Sequence, residues 1–181
     1  MTAAFTHRIA ILDDLAALHI LMARAIAQNQ SDFLTPEQVA VSDQVMGLDS
    51  QLVRDGTYFI IECDGRAAGC GGWSFRATLY GGDDSQVARE PAKLNPATDA
   101  AKVRAMYTDP DYVRQGIGSL ILSLCEAAAA DAGFKRAELM GTAAGVPLYR
   151  AQGYVPSAEP QFARVGDVEI PLLRMEKQLN R

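Results

Sequence analysis

Apolar and polar positions along the chain switch repeatedly between a period of two and a period near 3.6, so strand and helix patterns alternate from end to end. That alternation, without internal repeats, predicts a mixed α/β domain. The short apolar segment 5–11 reads as a first strand. From Asp13 onward Leu15, Leu18, Leu21, Met22, Ala25 and Ile26 recur at helical spacing, which predicts a helix running to the neighbourhood of Gln28 with Asp13 or Asp14 as its cap.

Thr35-Pro36-Glu37-Gln38 places a capping threonine before a proline at the first helical position, with Gln38 set to reach back, and announces a second helix toward Met46. Segments 58–63 and 67–75 then flank Asp64-Gly65, a dipeptide that suits a tight hairpin because it tolerates positive φ. Segment 76–100 is rich in Gly, Asp, Pro and Asn and holds no period; it predicts a long loop insertion of the kind that is functional or mobile. Residues 101–108 read as another strand, broken by Asp109-Pro110-Asp111. Ile117, Leu120, Ile121, Leu124, Cys125 and Ala128 define the apolar face of the clearest helix in the chain, stopped at Gly133. A strand at 137–141, a short helix at 144–152 and a closing hairpin of 162–165 and 168–175 around Gly166-Asp167 complete the pattern.

Composition narrows the function classes. At 181 residues the chain predicts one domain, 1–181, which buries roughly 70% of the surface its unfolded form exposes and needs neither disulfides nor a structural metal. Its 17 basic and 22 acidic residues give a net charge of -5, the wrong sign for neutralising phosphate backbones, so no nucleic-acid partner is expected. Cys63, Cys70 and Cys125 match neither a zinc spacing nor a Cys-x-x-Cys pair and read as reduced core thiols, with no metal site. The start Met1-Thr2-Ala3-Ala4-Phe5-Thr6-His7-Arg8 lacks a signal-peptide pattern, and no stretch of ~18 uncharged apolar residues marks a membrane span. A cytoplasmic protein without a membrane partner is the expectation.

The chemically informative stretch is Met106-Tyr107-Thr108-Asp109-Pro110-Asp111-Tyr112-Val113-Arg114-Gln115-Gly116-Ile117-Gly118-Ser119, a strand passing through a glycine-bearing turn into the strongest helix. Unpaired amides at a helix N-terminus and the positive end of the macrodipole favour a phosphate there, with Arg114 adding positive charge. The bland reading is a tight strand-to-helix turn. A dinucleotide fingerprint fits poorly because Ile121 stands where its third glycine would be, and no Gly-Lys-Ser/Thr ending exists for a phosphate-binding Walker loop.

Val113-Arg114-Gln115-Gly116-Ile117-Gly118 resembles the Gln/Arg-x-x-Gly-x-Gly/Ala signature of the GNAT superfamily of acyl-CoA-dependent N-acetyltransferases, with Val113 departing from its first position. Pro147-Leu148-Tyr149-Arg150-Ala151-Gln152-Gly153-Tyr154 resembles the family's second segment, and Pro171-Leu172-Leu173-Arg174-Met175-Glu176-Lys177 its last strand. The resemblance implies a twisted mixed sheet of about seven strands flanked by about four helices and splayed between strands 4 and 5. It also implies acetyl-CoA as co-substrate, its pantetheine arm along Met106, Tyr107 and Thr108 and its pyrophosphate on Arg114, Gln115, Gly116, Ile117, Gly118 and Ser119. Thr142 stands where the family often contacts pantetheine, although capping the following helix is the simpler role. Tyr149 matches the general acid that protonates the departing thiolate. Tyr154 reads as core, and His7 and His19 as bystanders.

The reaction so implied is direct attack of a primary amine, of a small molecule by preference, in a ternary complex. The alternatives are a non-catalytic CoA-binding regulatory domain and an unrelated nucleotide-binding module. Glu138, Asp109 and Glu62 are candidate bases that read more simply as solvated carboxylates. On the acceptor side Trp73, Phe75 and Tyr80 are candidates for an aromatic wall, and Arg76, Asp83 and Asp84 for charge recognition, against a reading as core and turn residues. A homodimer is expected by family habit, with 170–173 as a contributor that would serve a monomer's core equally well.

Overall fold

The computed structural model describes residues 4–179; the first three residues of the N-terminal segment read above lie outside it. The described chain forms β1 (Phe5–Ile9), α1 (Leu15–Asn29), α2 (Pro36–Val41), α3 (Ser50–Arg54), β2 (Tyr58–Cys63), β3 (Arg66–Ser74) and β4 (Ala101–Thr108). It continues through α4 (Ile117–Asp131), β5 (Arg136–Thr142), α5 (Val146–Ala151), β6 (Val155–Pro156), β7 (Gln161–Val165) and β8 (Val168–Gln178). The eight strands make one sheet in the order β1-β2-β3-β4-β5-β8-β6, with β7 also on β8. Every pairing is antiparallel except β4 with β5.

That parallel pair is the architectural event of the fold. It holds only at Ala101–Ala137 and Lys102–Glu138, after which the strands part and the edge of β4 beyond Lys102 faces no strand. The expected splay is there, with one strand and one helix more than the pattern suggested: β6 is two residues long and α3 five, too short to leave a periodic signal.

Local chemistry accounts for the boundaries. Thr35 and Gln38 form the reciprocal capping box that starts α2, which stops at Val41 rather than near Met46 because a 3-10 turn takes over at Ser42–Gln44. Asp14 stands at the start of α1, but its carboxylate turns back to the Ile11 amide and to Arg8, capping the preceding turn instead. Asp64 and Gly65 have φ of 49° and 75°, the double positive value of a type I′ hairpin.

The two faces of the sheet carry different cores. On one, α4 presses Ile117 and Ile121 onto β3, where a Cβ at Gly69 or Gly71 would lie 2.4 or 2.6 Å from these side chains, so glycine is what permits the close approach. On the other, α1 packs Leu18, Leu21 and Met22 against Tyr58, Ile60 and Cys70. A third cluster joins Ile26, Leu34, Val45 and Met46 to β7 and β8, and it takes Ile170 and Leu172 into the chain's own core. All three cysteines are free and buried. Among the described residues no helix is long and apolar enough to cross a membrane.

Candidate active site

The divergence of β4 and β5 opens a cleft whose walls come from seven stretches of the chain. It is lined by Val103 to Tyr107 of β4, Leu139, Met140 and Thr142 of β5, Tyr149 of α5, Leu172 of β8, and Gln30, Val45 to Gly47 and Leu79 to Gly81 from the connections. One cause of its shape is a bulge in β4. Ala105 adopts φ 52° where the register with β3 slips between Cys70 and Gly72, and its carbonyl accepts a 2.6 Å hydrogen bond from the Tyr58 hydroxyl. Such bulges re-aim the side chains that follow. Tyr107 accordingly points across the cleft and accepts the Gly47 amide at 2.7 Å, pinning the segment after α2; burial pushes its phenol pKa up.

The turn into α4 follows the end of β4, the strand whose residues 103–107 line this cleft. Arg114 and Gly116 both take positive φ, 63° and 86°, and the exposed run 113–116 leads directly into the helix. The first helical bond runs from the Leu120 amide to the Gly116 carbonyl, so the amides of 117–119 have no acceptor within the helix. Alternating left-handed residues ahead of free amides form the concave main-chain nest that binds anions. Gly116 serves this conformation, since nothing lies within 4 Å of a Cβ placed there. Gly118 has a different duty: its Cβ would meet Leu148 Cδ2 at 2.6 Å, so glycine lets α5 dock on α4. The Ser119 hydroxyl is engaged by Gln152 at 3.2 Å, which leaves its amide for a ligand. Two side chains of α1 brace the approach. Arg24 pairs with Asp109 at 2.6 Å, and Asn29 donates to the Thr108 carbonyl at 2.8 Å.

Tyr149 reaches the cleft from α5, stacked edge-on to buried Tyr154 at 6.1 Å, and its hydroxyl makes no hydrogen bond with any described residue. Burial pushes its pKa up to about 12, so the phenol keeps its proton throughout the neutral range. The Thr142 hydroxyl accepts from the Gly145 amide at 3.3 Å in the turn ahead of α5, a helix that starts at the N-cap Gly145 without a side-chain cap, and Thr142 also lines the cleft.

Most of the acceptor-side expectations are redirected. Tyr80 lines the cleft, but Trp73 is 6% exposed and packed between Phe75 and Phe134 in the core, because it points to the α4 face of β3. Arg76 is held by Asp55 at 2.6 Å and lies outside the cleft lining. Asp83 accepts from the Ser50 amide and pairs with Arg89 at 2.8 Å; with Asp84 it borders a separate depression beside α1. The loop 76–100 is thus pinned by ion pairs to α3 and the turns around it.

The candidate bases are also spoken for. Glu138 is not solvated but buried between Lys102 and Arg174, and burial first, then Arg174, brings the Lys102 ammonium down to about 8. Asp109 is buried on Arg24, and Glu62 pairs with Arg8 at 3.0 Å. Among the described residues no carboxylate lines the cleft. His7 and His19 are exposed and stand away from it.

Three cleft residues escaped sequence reasoning. Gln30, at the end of α1, and Gly47 carry no local signal. Arg104 had one: two cations, Lys102 and Arg104, alternate along a strand otherwise patterned for burial, which demands buried partners. Its partner is Asp49, at 2.6 Å, with both side chains 3% exposed.

The family profile of the acetyltransferase (GNAT) domain matches residues 54–156, which runs from the end of α3 through the anion turn to β6. The chain belongs to the GNAT acetyltransferase family. Its fold is similar to that of a GCN5-related N-acetyltransferase from Rhodopseudomonas palustris, with a TM-score of 0.70 at 18% identity over 99% of this chain and 97% of that one. It is similar as well to YncA, a putative acetyltransferase from Salmonella typhimurium solved with acetyl-CoA (TM-score 0.63, 18% identity, 98% and 95% covered). The PaiA N-acetyltransferase of Thermoplasma acidophilum, solved with coenzyme A, aligns with a TM-score of 0.60 at 13% identity over 97% and 99%. Comparison with curated proteins finds no match. At these identities the likenesses establish the GNAT fold.

Proposed function

We propose that this GNAT protein transfers an acetyl group from acetyl-CoA to the primary amine of a small molecule, both substrates meeting in the cleft between β4 and β5. The observation that carries the reading is the unpartnered, protonated Tyr149 hydroxyl in a cleft walled by β4, the strand that leads into a main-chain anion nest. Similar folds solved with acetyl-CoA and with coenzyme A support the choice of co-substrate.

Acetyl-CoA supplies, when bound, the thioester that the amine attacks. The amides of 117–119 and the Arg114 side chain hold its diphosphate, and the open edge of β4 at Met106, Tyr107 and Thr108 offers main-chain groups to its pantetheine arm. Tyr149 Oη holds a proton beside the reacting centre and donates it to the departing sulfur. Fixing both reactants in one cleft contributes much of the acceleration, because attack becomes effectively unimolecular. The amine loses its own proton to water, since among the described residues no carboxylate lines the cleft. That same absence favours, as a second reading, a CoA-binding domain without turnover.

Thiol release from acetyl-CoA against a panel of small amines decides between them. The transferase reading expects release with at least one amine and its loss in Tyr149→Phe. Tight CoA binding without release across the panel overturns it in favour of the sensor.

A further inference from the structure

We propose, resting on the transferase reading, that the acceptor is a free α-amino acid with an uncharged side chain, held through Gln30 and Arg104. Gln30 is 8% exposed and lines the cleft. Its Nε2 is used, donating to Thr142 Oγ1 at 3.4 Å, while its Oε1 is buried without any hydrogen-bond partner. An amide oxygen so placed is costly unless something donates to it, and a substrate N–H is the natural donor. Arg104 presents the second unpaired atom. Its two terminal nitrogens are satisfied by Asp49 and the Gly81 carbonyl, each at 2.6 Å, but its buried Nε has no partner.

Two residues of the cleft lining therefore hold, buried in its wall, one vacant acceptor and one vacant guanidinium donor. The complementary ligand carries an N–H group for Gln30 and an anionic oxygen for Arg104, which is the pairing of an amine and a carboxylate borne on one carbon. Charge points the same way. Among the described residues Arg104 is the only formally charged side chain on the cleft wall and no Asp or Glu stands there to receive a second ammonium, so a polyamine or aminoglycoside is disfavoured. Met46, Met140 and Leu172 on the same wall are available to an aliphatic side chain.

Both groups approach from the acceptor side rather than the cofactor side. Gln30 follows α1, whose core lies on the face of the sheet opposite α4, whereas the anion nest opens into α4 and Tyr149 packs with the α4 core. Substitution at Gln30 is expected to change the Michaelis constant of the acceptor and leave that of acetyl-CoA in place.

The test compares leucine, leucinamide, isopentylamine, the tripeptide Leu-Gly-Gly and spermidine as acceptors for the wild-type protein and for Gln30→Leu and Arg104→Lys, with thermal melts and acetyl-CoA calorimetry alongside. Leucine is expected to exceed isopentylamine, the same amine without its carboxylate, by at least about tenfold in kcat/KM, one charge-assisted hydrogen bond's worth. Gln30→Leu should raise the leucine KM by about tenfold with an unchanged acetyl-CoA affinity. Equal rates for leucine and isopentylamine, or a preference for spermidine or Leu-Gly-Gly, would overturn the amino-acid assignment and leave the transferase reading standing. Wild-type protein that binds acetyl-CoA and releases thiol with none of these, nor with a wider amine panel, would sink both. The substrate comparison needs no variant, so a misfolded Arg104→Lys does not blunt it.

Discussion

The two sides of the cleft are built in different ways. On the side proposed for the cofactor, the site is one continuous stretch from β4 to α4, and its main-chain amides lie in a turn whose φ values are set locally by Arg114 and Gly116. On the side proposed for the acceptor, residues from the end of α1, the segment before α3, the loop 76–100 and β8 converge, and the ion pairs there are Arg104 on Asp49, Arg89 on Asp49 and Asp83, and Arg76 on Asp55. A main-chain site depends on backbone conformation and tolerates change in the side chains around it. A site assembled from buried charges depends on each partner being present.

The sharpest break of this contrast is Asp49→Ala, which leaves Arg104 buried without its counter-ion and should cost about 3–5 kcal/mol of stability. Urea denaturation reads it directly; a loss below about 1 kcal/mol would mean the acceptor wall does not rest on that pair. Next in size, Tyr149→Phe should lower kcat by about a hundredfold with little change in melting temperature, because the hydroxyl has no protein partner to lose. Gly116→Val opposes a left-handed backbone with a branched side chain that meets no neighbour. It should weaken acetyl-CoA binding by about tenfold or more, in line with 1–3 kcal/mol of local strain, with the hydrophobic core intact.

The smallest expected effect is on pH dependence. Arg76 hydrogen bonds hold the Asp55 carboxyl below the usual carboxylate range, and Arg8 does the same for Asp14. A depressed carboxyl stabilises the fold above its unfolded value, near 4, and the contribution is lost as pH falls through the lower folded value. The melting temperature should therefore decline from about pH 5 downward, and Asp55→Asn should remove part of that decline at a cost of about 1 kcal/mol at neutral pH. An unchanged acid profile in the variant would show that the Arg76 pair does not anchor the loop.

The same division decides what could be read in advance. The nest was legible because its ingredients, Arg114 to Ser119 and the apolar period of α4, are neighbours in sequence. The hairpin at Asp64-Gly65 and the capping box at Thr35 were legible for the same reason. Gln30 and Arg104 were not, because their meaning lies in partners far along the chain: Thr142 for one, Asp49 for the other. Trp73 misled because alternation along β3 tells two faces apart but not which of them borders the cleft, and the bulge at Ala105 re-aims β4 without leaving a mark in the sequence.

The most direct test of the account is a titration of the labelled protein with coenzyme A, followed through its backbone amide resonances. The account predicts saturable binding with the largest shifts at 114–119 and along 106–108, and amides of α3 and the loop 76–100 nearly unmoved. Shifts centred on the acceptor wall, or none at all, would contradict a cofactor side made from the main chain of that turn.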